Sequence, residues 1–195
     1  MLGRGELNRG KPSLNQLSFA RRALLGAAAL FGAFALAACA EAPEPGGPVD
    51  SRALAAVRLD PQAAVAAVNA YRAKNGLGPL RLDPALVAMA QRQADAMVAA
   101  DALSHTVAGS FSARLAAAGI AVGEAGENLG GGYYSLDAAM AGWRGSPEHD
   151  ANLKIRGATR MGIALAKDAR TRFGVYWALE LADDPPRPAP AAWAD

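Results

Sequence analysis

The apolar positions keep two different periods in two parts of the chain. From Pro61, Ala64, Val65, Val68 and Tyr71 recur at helical spacing, and from Pro84, Leu86, Met89, Ala90, Ala94, Met97 and Val98 form one stripe reaching about Asp101. Each run opens on an Asp-Pro pair, Asp60-Pro61 and Asp83-Pro84, which sets a capping acceptor before a proline suited to the first helical position. Asn75-Gly76 stops the first helix, and the many alanines in both allow close helix approach. A shorter helix is predicted from Phe111 to Ala118, ending at Gly119, and another from Ser135 to about Trp143. The period then falls to two. Met161, Ile163 and Leu165 alternate, and after a charged turn (Lys167, Asp168, Arg170) so do Phe173, Val175, Trp177 and Leu179, which predicts a hairpin. Helices first and paired strands last predict an α+β domain with helices covering a small antiparallel sheet.

The two ends read differently. Behind Arg21-Arg22 lies an uncharged, alanine-rich run from Ala23 to Ala38, shorter than the roughly 20 residues of a bilayer span but suited to the apolar region of an export signal. A buried core helix fits the same length, yet leaves the paired arginines and the Pro/Gly-rich stretch that follows unexplained. Leu36-Ala37-Ala38-Cys39 resembles the bacterial lipobox, in which the cysteine is lipidated and becomes the first mature residue. Each buried acyl methylene adds about 0.8 kcal/mol of membrane affinity, so two or three chains on Cys39 would hold the protein firmly. Ser18 to Leu25 resembles a twin-arginine signal in part, leaving ordinary secretion an equal route, and by resemblance to lipoprotein sorting Ala40 favours an outer membrane where one exists. Residues 1–38 are thus expected to be the signal, 39–52 a Pro/Gly-rich tether, 53–182 the folded domain and 183–195 a proline-rich tail.

Composition narrows the function. With 52% hydrophobic and 19% charged residues over 195 positions, the chain can bury the core of one ordinary domain. Residues 1–39 hold five basic residues and one acid, so the remainder, with 15 basic and 17 acidic, carries a net −2. Without a basic field on the folded part, nucleic acid is not an expected partner. A lone cysteine makes neither an intramolecular disulfide nor a multi-thiolate metal site.

The chemistry rests on a few side chains. The two histidines, His105 and His149, stand in polar, helix-breaking settings, Leu103-Ser104-His105-Thr106 and Gly145-Ser146-Pro147-Glu148-His149-Asp150. Between them Glu127-Asn128-Leu129 precedes Gly130, Gly131 and Gly132, a pattern read as a loop whose backbone approaches something closely. Spacing alone does not bring these three together. Asn128 is expected to tie its loop by side-chain to backbone hydrogen bonds, and Trp143 and Trp177 to be core. Arg72 and Arg114 read as surface residues with buried stems or as ion-pair partners, and Tyr133-Tyr134 as a turn tucked onto the core or a groove border.

From about Val68 to Leu181 the sequence resembles the CAP superfamily of cysteine-rich secretory proteins, antigen 5 and pathogenesis-related proteins. The pieces come in the family's order: Asn69-x-x-Arg72, Leu82-Asp83-Pro84, Ser104-His105, Phe111-x-x-Arg114-Leu115, Glu127-Asn128-Leu129, Trp143-x-x-Ser146-Pro147-x-His149-x-x-Asn152-Leu153, Met161-Gly162-Ile163-Ala164 and Tyr176-Trp177. The shortened Trp143-to-His149 segment and the lack of disulfides are similar to the bacterial branch. The resemblance implies an α-β-α sandwich whose cleft gathers His105, Glu127 and His149, bordered by Asn128, Ser146 and Glu148. A second glutamate of many relatives falls here on Ser146, and Glu148 is the nearest acid. Two imidazoles and a carboxylate can hold a divalent ion such as zinc, or form a hydrogen-bonded cluster that fixes loops. The expected work is binding of a lipid, envelope component or protein, with no catalytic residue assigned. The competing readings are a metal-dependent peptidase or esterase using the same cleft, and an adhesive domain with an inert one.

Overall fold

The computed structural model describes residues 49–184. The expected signal, Cys39, most of the tether and nearly all of the tail therefore lie outside the described residues. Six helices and four strands follow in order: α1 (Ser51–Ala56), α2 (Pro61–Lys74), β1 (Arg81–Leu82), α3 (Pro84–Ala100), α4 (Phe111–Ala117), β2 (Ala125–Gly131), α5 (Leu136–Gly145), α6 (Pro147–Leu153), β3 (Arg160–Lys167) and β4 (Val175–Ala182), counted among the described residues.

The caps act as the sequence indicates. Asp60 accepts from the amides of Gln62 and Ala63, Asp83 from those of Ala85 and Leu86, and each proline occupies the first turn, where no amide is needed. Helix α4 stops at Gly119, whose φ of 66° is the left-handed conformation glycine adopts freely. Helix α3 instead ends on Asp101, a non-glycine residue at φ 44°, held because its carboxylate accepts from the Arg172 amide at 2.8 Å and the Tyr176 hydroxyl at 2.5 Å. Burial and that bond push the Tyr176 hydroxyl up to about 12, so it stays a donor.

The strand order is β1-β3-β4-β2. β3, β4 and β2 are antiparallel neighbours, and the short β1 adds a parallel pair through Arg81–Arg160 and Leu82–Met161. Alternation sorts the two faces. Met161, Ile163, Val175, Trp177, Leu179 and Leu181 meet Val68 of α2, Trp143 of α5 and Leu153 of α6 in one apolar layer. Ala164, Tyr176, Ala178 and Ala182 point the other way, towards α3 and α4. α3 lies unusually close to the sheet: a methyl on Gly162 would strike the backbone of Leu86 and Val87. This is an α-β-α sandwich.

Four elements depart from the sequence-based expectation. α1 opens at Ser51, inside the expected tether, capped by Asp50, whose side chain accepts from the Arg52 and Ala53 amides. The Glu127-to-glycine stretch is a strand, β2, and its glycines give close approach, with Gly130 and Gly131 meeting the rings of Tyr133 and Phe173. The segment from Pro147 is a helix, α6, so His149 is helical. β1 is too short to leave a period in the sequence.

Candidate functional site

β2 is an edge strand, and its alternation decides the site. Glu127 pairs with Glu180 of β4 in the antiparallel register and turns its side chain, 3% exposed, into the layer beneath α4. His105 sits in the turn between α3 and α4 with its side chain 56% exposed, and its Nδ1 lies 2.6 Å from Glu127 Oε1. An ionised carboxylate only accepts, an arrangement that calls for the hydrogen on Nδ1 and leaves Nε2 as the acceptor.

The other oxygen of Glu127 is also taken. Arg114 Nη2, from α4, donates to Glu127 Oε2 at 2.7 Å and to the His105 carbonyl at 3.2 Å. Arg114 Nε reaches the Gly109 carbonyl at 3.2 Å and Nη1 reaches Glu180 Oε1 at 3.3 Å. Glu180 is fully buried and its Oε2 has no hydrogen-bond partner among the described residues. Burial first, then the negative charge of Glu127, raises its pKa well above the usual carboxylate value, against the pull of Arg114. One guanidinium thus faces two carboxyl groups, and the arrangement is neutral when Glu180 keeps its proton.

His149 comes from the opposite layer, on α6, and two asparagines fix it. Asn128 Nδ2 donates to the His149 carbonyl at 2.9 Å, while Asn152 Nδ2 donates to the Glu127 carbonyl and to Asn128 Oδ1, both at 3.0 Å. The expected tie through Asn128 is present, and it joins α6 to β2 rather than closing a loop on itself. Burial, followed by the charge His105 carries when protonated, lowers the His149 pKa. Ser146 donates to Glu148 at 3.3 Å, and Glu148 is exposed, so the nearest acid turns to Ser146.

These positions test the metal set. Both oxygens of Glu127 are bonded, and among the described residues no three His, Cys, Asp or Glu side chains are placed to hold one ion. Glu127 orients His105 from behind, an arrangement carboxylates commonly make with metal-binding histidines.

Arg72 and Arg114 are both buried, which the surface alternative did not anticipate. Arg114 is an ion-pair partner; among the described residues Arg72 binds carbonyls alone, those of Gly78, Leu153, Ile155 and Ala158. Trp143 and Trp177 are core, and their indole N–H groups donate to the carbonyls of Leu129 and Tyr133. Tyr133 and Tyr134 tuck onto the apolar layer. Glu180 had no motif to mark it. Its signal is an acid inside an otherwise apolar alternating strand, on the face opposite Trp177 and Leu179.

Three solved structures share the fold. An extracellular protein containing a SCP domain from Bacillus anthracis has a TM-score of 0.56 at 21% identity over 65% of this chain and 45% of its own. An outer surface protein from Borrelia burgdorferi gives 0.57 at 18% identity over 71% of this chain and 98% of its own. A cysteine-rich secretory protein from Staphylococcus aureus gives 0.53 at 16% identity over 63% and 38%. The chain therefore spans less than half of the Bacillus and Staphylococcus proteins. No curated protein is significantly similar to it in sequence. Residues 65–181 match the profile of the cysteine-rich secretory protein (CAP) family, more than half of the chain, and the chain belongs to that family.

Proposed function

We propose that this protein is exported, anchored by lipid on Cys39, and displays its CAP domain outside the cytoplasm to bind a ligand at the cleft between His105 and His149. The ligand is an envelope component, a lipid or a protein, and a divalent ion such as zinc held by the two imidazoles takes part in its capture. One observation carries the preference for binding over turnover: Glu127 has both oxygens bonded, to His105 and to Arg114, so it is not a free base for an attacking water. Ser146 likewise bonds the exposed Glu148 rather than an imidazole, so it forms no Ser–His pair. The residues nearest the cleft offer one large exposed apolar side chain, Leu103, two positions before His105.

Zinc calorimetry on the full chain, beside a His105→Ala/His149→Ala variant, tests the metal part. Micromolar or tighter binding that disappears in the variant is expected; a folded wild type that takes up no zinc removes the ion from the reading. The anchor is tested by fractionation. Cys39→Ser is expected to leave the membrane fraction, and its retention there would refute lipidation at this residue.

A further inference from the structure

We propose that Arg114, backed by Glu180, is the positioning residue that sets the tautomer and orientation of His105, keeping Nε2 open to the cleft. The bearing of this on ligand capture rests on the reading above, but the geometry holds whatever the ligand is.

Arg114 grips both ends of His105. Its Nη2 donates to the His105 carbonyl at 3.2 Å and to Glu127 Oε2 at 2.7 Å, and Glu127 Oε1 in turn holds the ring through Nδ1 at 2.6 Å. Backbone and ring of one residue are thereby referred to a single nitrogen. Nε fixes the Gly109 carbonyl at 3.2 Å, so the turn from 105 to 109 is bound at two points. Nη1 ends on Glu180 Oε1 at 3.3 Å, where Glu180, fully buried and opposite Glu127 in the ladder, stops the guanidinium from turning. Only a planar fork meets four acceptors in this way; a lysine ammonium on a flexible stem cannot. The His105 side chain is 56% exposed and its ring is bonded through Nδ1 to Glu127, so the choice of which nitrogen carries hydrogen falls to Glu127, and the place of Glu127 falls to Arg114.

The chain has two histidines, which makes the test direct. The full chain, labelled with ¹⁵N in the histidine rings, is recorded at about pH 8.5, where ordinary imidazoles are neutral, with His149→Ala assigning the signals. Wild-type His105 is expected in the Nδ1–H form. In Arg114→Met the ratio of Nδ1–H to Nε2–H is expected to fall roughly tenfold, the scale of one lost hydrogen bond to a charged group, and Arg114→Lys to recover part of it. Arg160→Met is the control, since Arg160 is another buried arginine, paired with Asp83 at 3.0 Å, that does not touch His105. It is expected to lower the melting temperature and leave the ratio unchanged. The proposal is overturned by a wild type in the Nε2–H form, by a ratio unchanged in both Arg114 variants, or by an Arg160 variant that moves it equally. Should Arg114→Met fail to fold, Arg114→Lys decides by the same criterion.

Discussion

Arg72 and Arg114 are both withdrawn from water, and their surroundings differ in kind. Arg72 lies between α2 and the segment after α6, with neutral carbonyls on every side, and burial lowers its pKa. Arg114 lies between α4 and the sheet with two carboxyl groups and two carbonyls. The first arrangement fixes backbone and is indifferent to protons. The second couples a cation to groups that titrate, and one of those groups holds the exposed imidazole. The difference separates a staple from a site: a buried charge met by dipoles alone shapes the chain, whereas one met by ionisable partners can also set the state of a reactive side chain.

The sharpest way to break this contrast is to remove each guanidinium. Arg72→Met takes the guanidinium donors from four carbonyls, of which that of Ile155 keeps the Ala158 amide, and is expected to lose about 3 kcal/mol, equally at about pH 5 and about pH 8, because none of its partners titrates. Denaturant unfolding at the two pH values measures this, and a pH-dependent loss would deny the distinction. Arg114→Met is expected to lose about 2 kcal/mol at about pH 8 and clearly less at about pH 5. Without the cation, which pulls it down, the Glu180 pKa rises further above the unfolded value. Its contribution is then present below the unfolded pKa and lost as pH rises, so the defect grows with pH.

The smallest effect has the opposite sign. The folded pKa of Glu180 stands well above the ordinary 4.5, so its carboxyl contributes stability below that value and loses it as pH rises towards the folded one. Glutamine keeps the shape and an acceptor for Arg114 without that loss. Glu180→Gln is therefore expected to match wild type near pH 4 and to gain up to about 1 kcal/mol near neutrality. Thermal unfolding across that range reads the difference, and a loss at neutral pH would mean that Glu180 serves as an ion.

Legibility in the sequence followed the same division. Helices opened by Asp-Pro and the β3–β4 hairpin were plain, because caps and alternation are local signals. β2 was not, since AGENLGG offers no apolar period; its strand character comes from pairing along β4. α6 was hidden behind Ser-Pro and four polar or charged residues. At the site, motif resemblance points to His105, Glu127 and His149, and the first two bond directly. Arg114 was left open between two roles and Glu180 was missed, because a buried ion cluster depends on cross-strand register and on which layer a helix covers. Neither is written in residue spacing.

β2 stands at the rim of the sheet, and a rim strand ordinarily invites a stranger's backbone. Here the invitation is withdrawn by side chains already described: Asn152 occupies the Glu127 carbonyl at 3.0 Å and the indole of Trp143 occupies that of Leu129 at 2.9 Å. A foreign strand laid along this rim would find those acceptors spoken for. The strand that bears Glu127 can lie at the surface, beside an exposed imidazole, without seeding aggregation between copies of the chain.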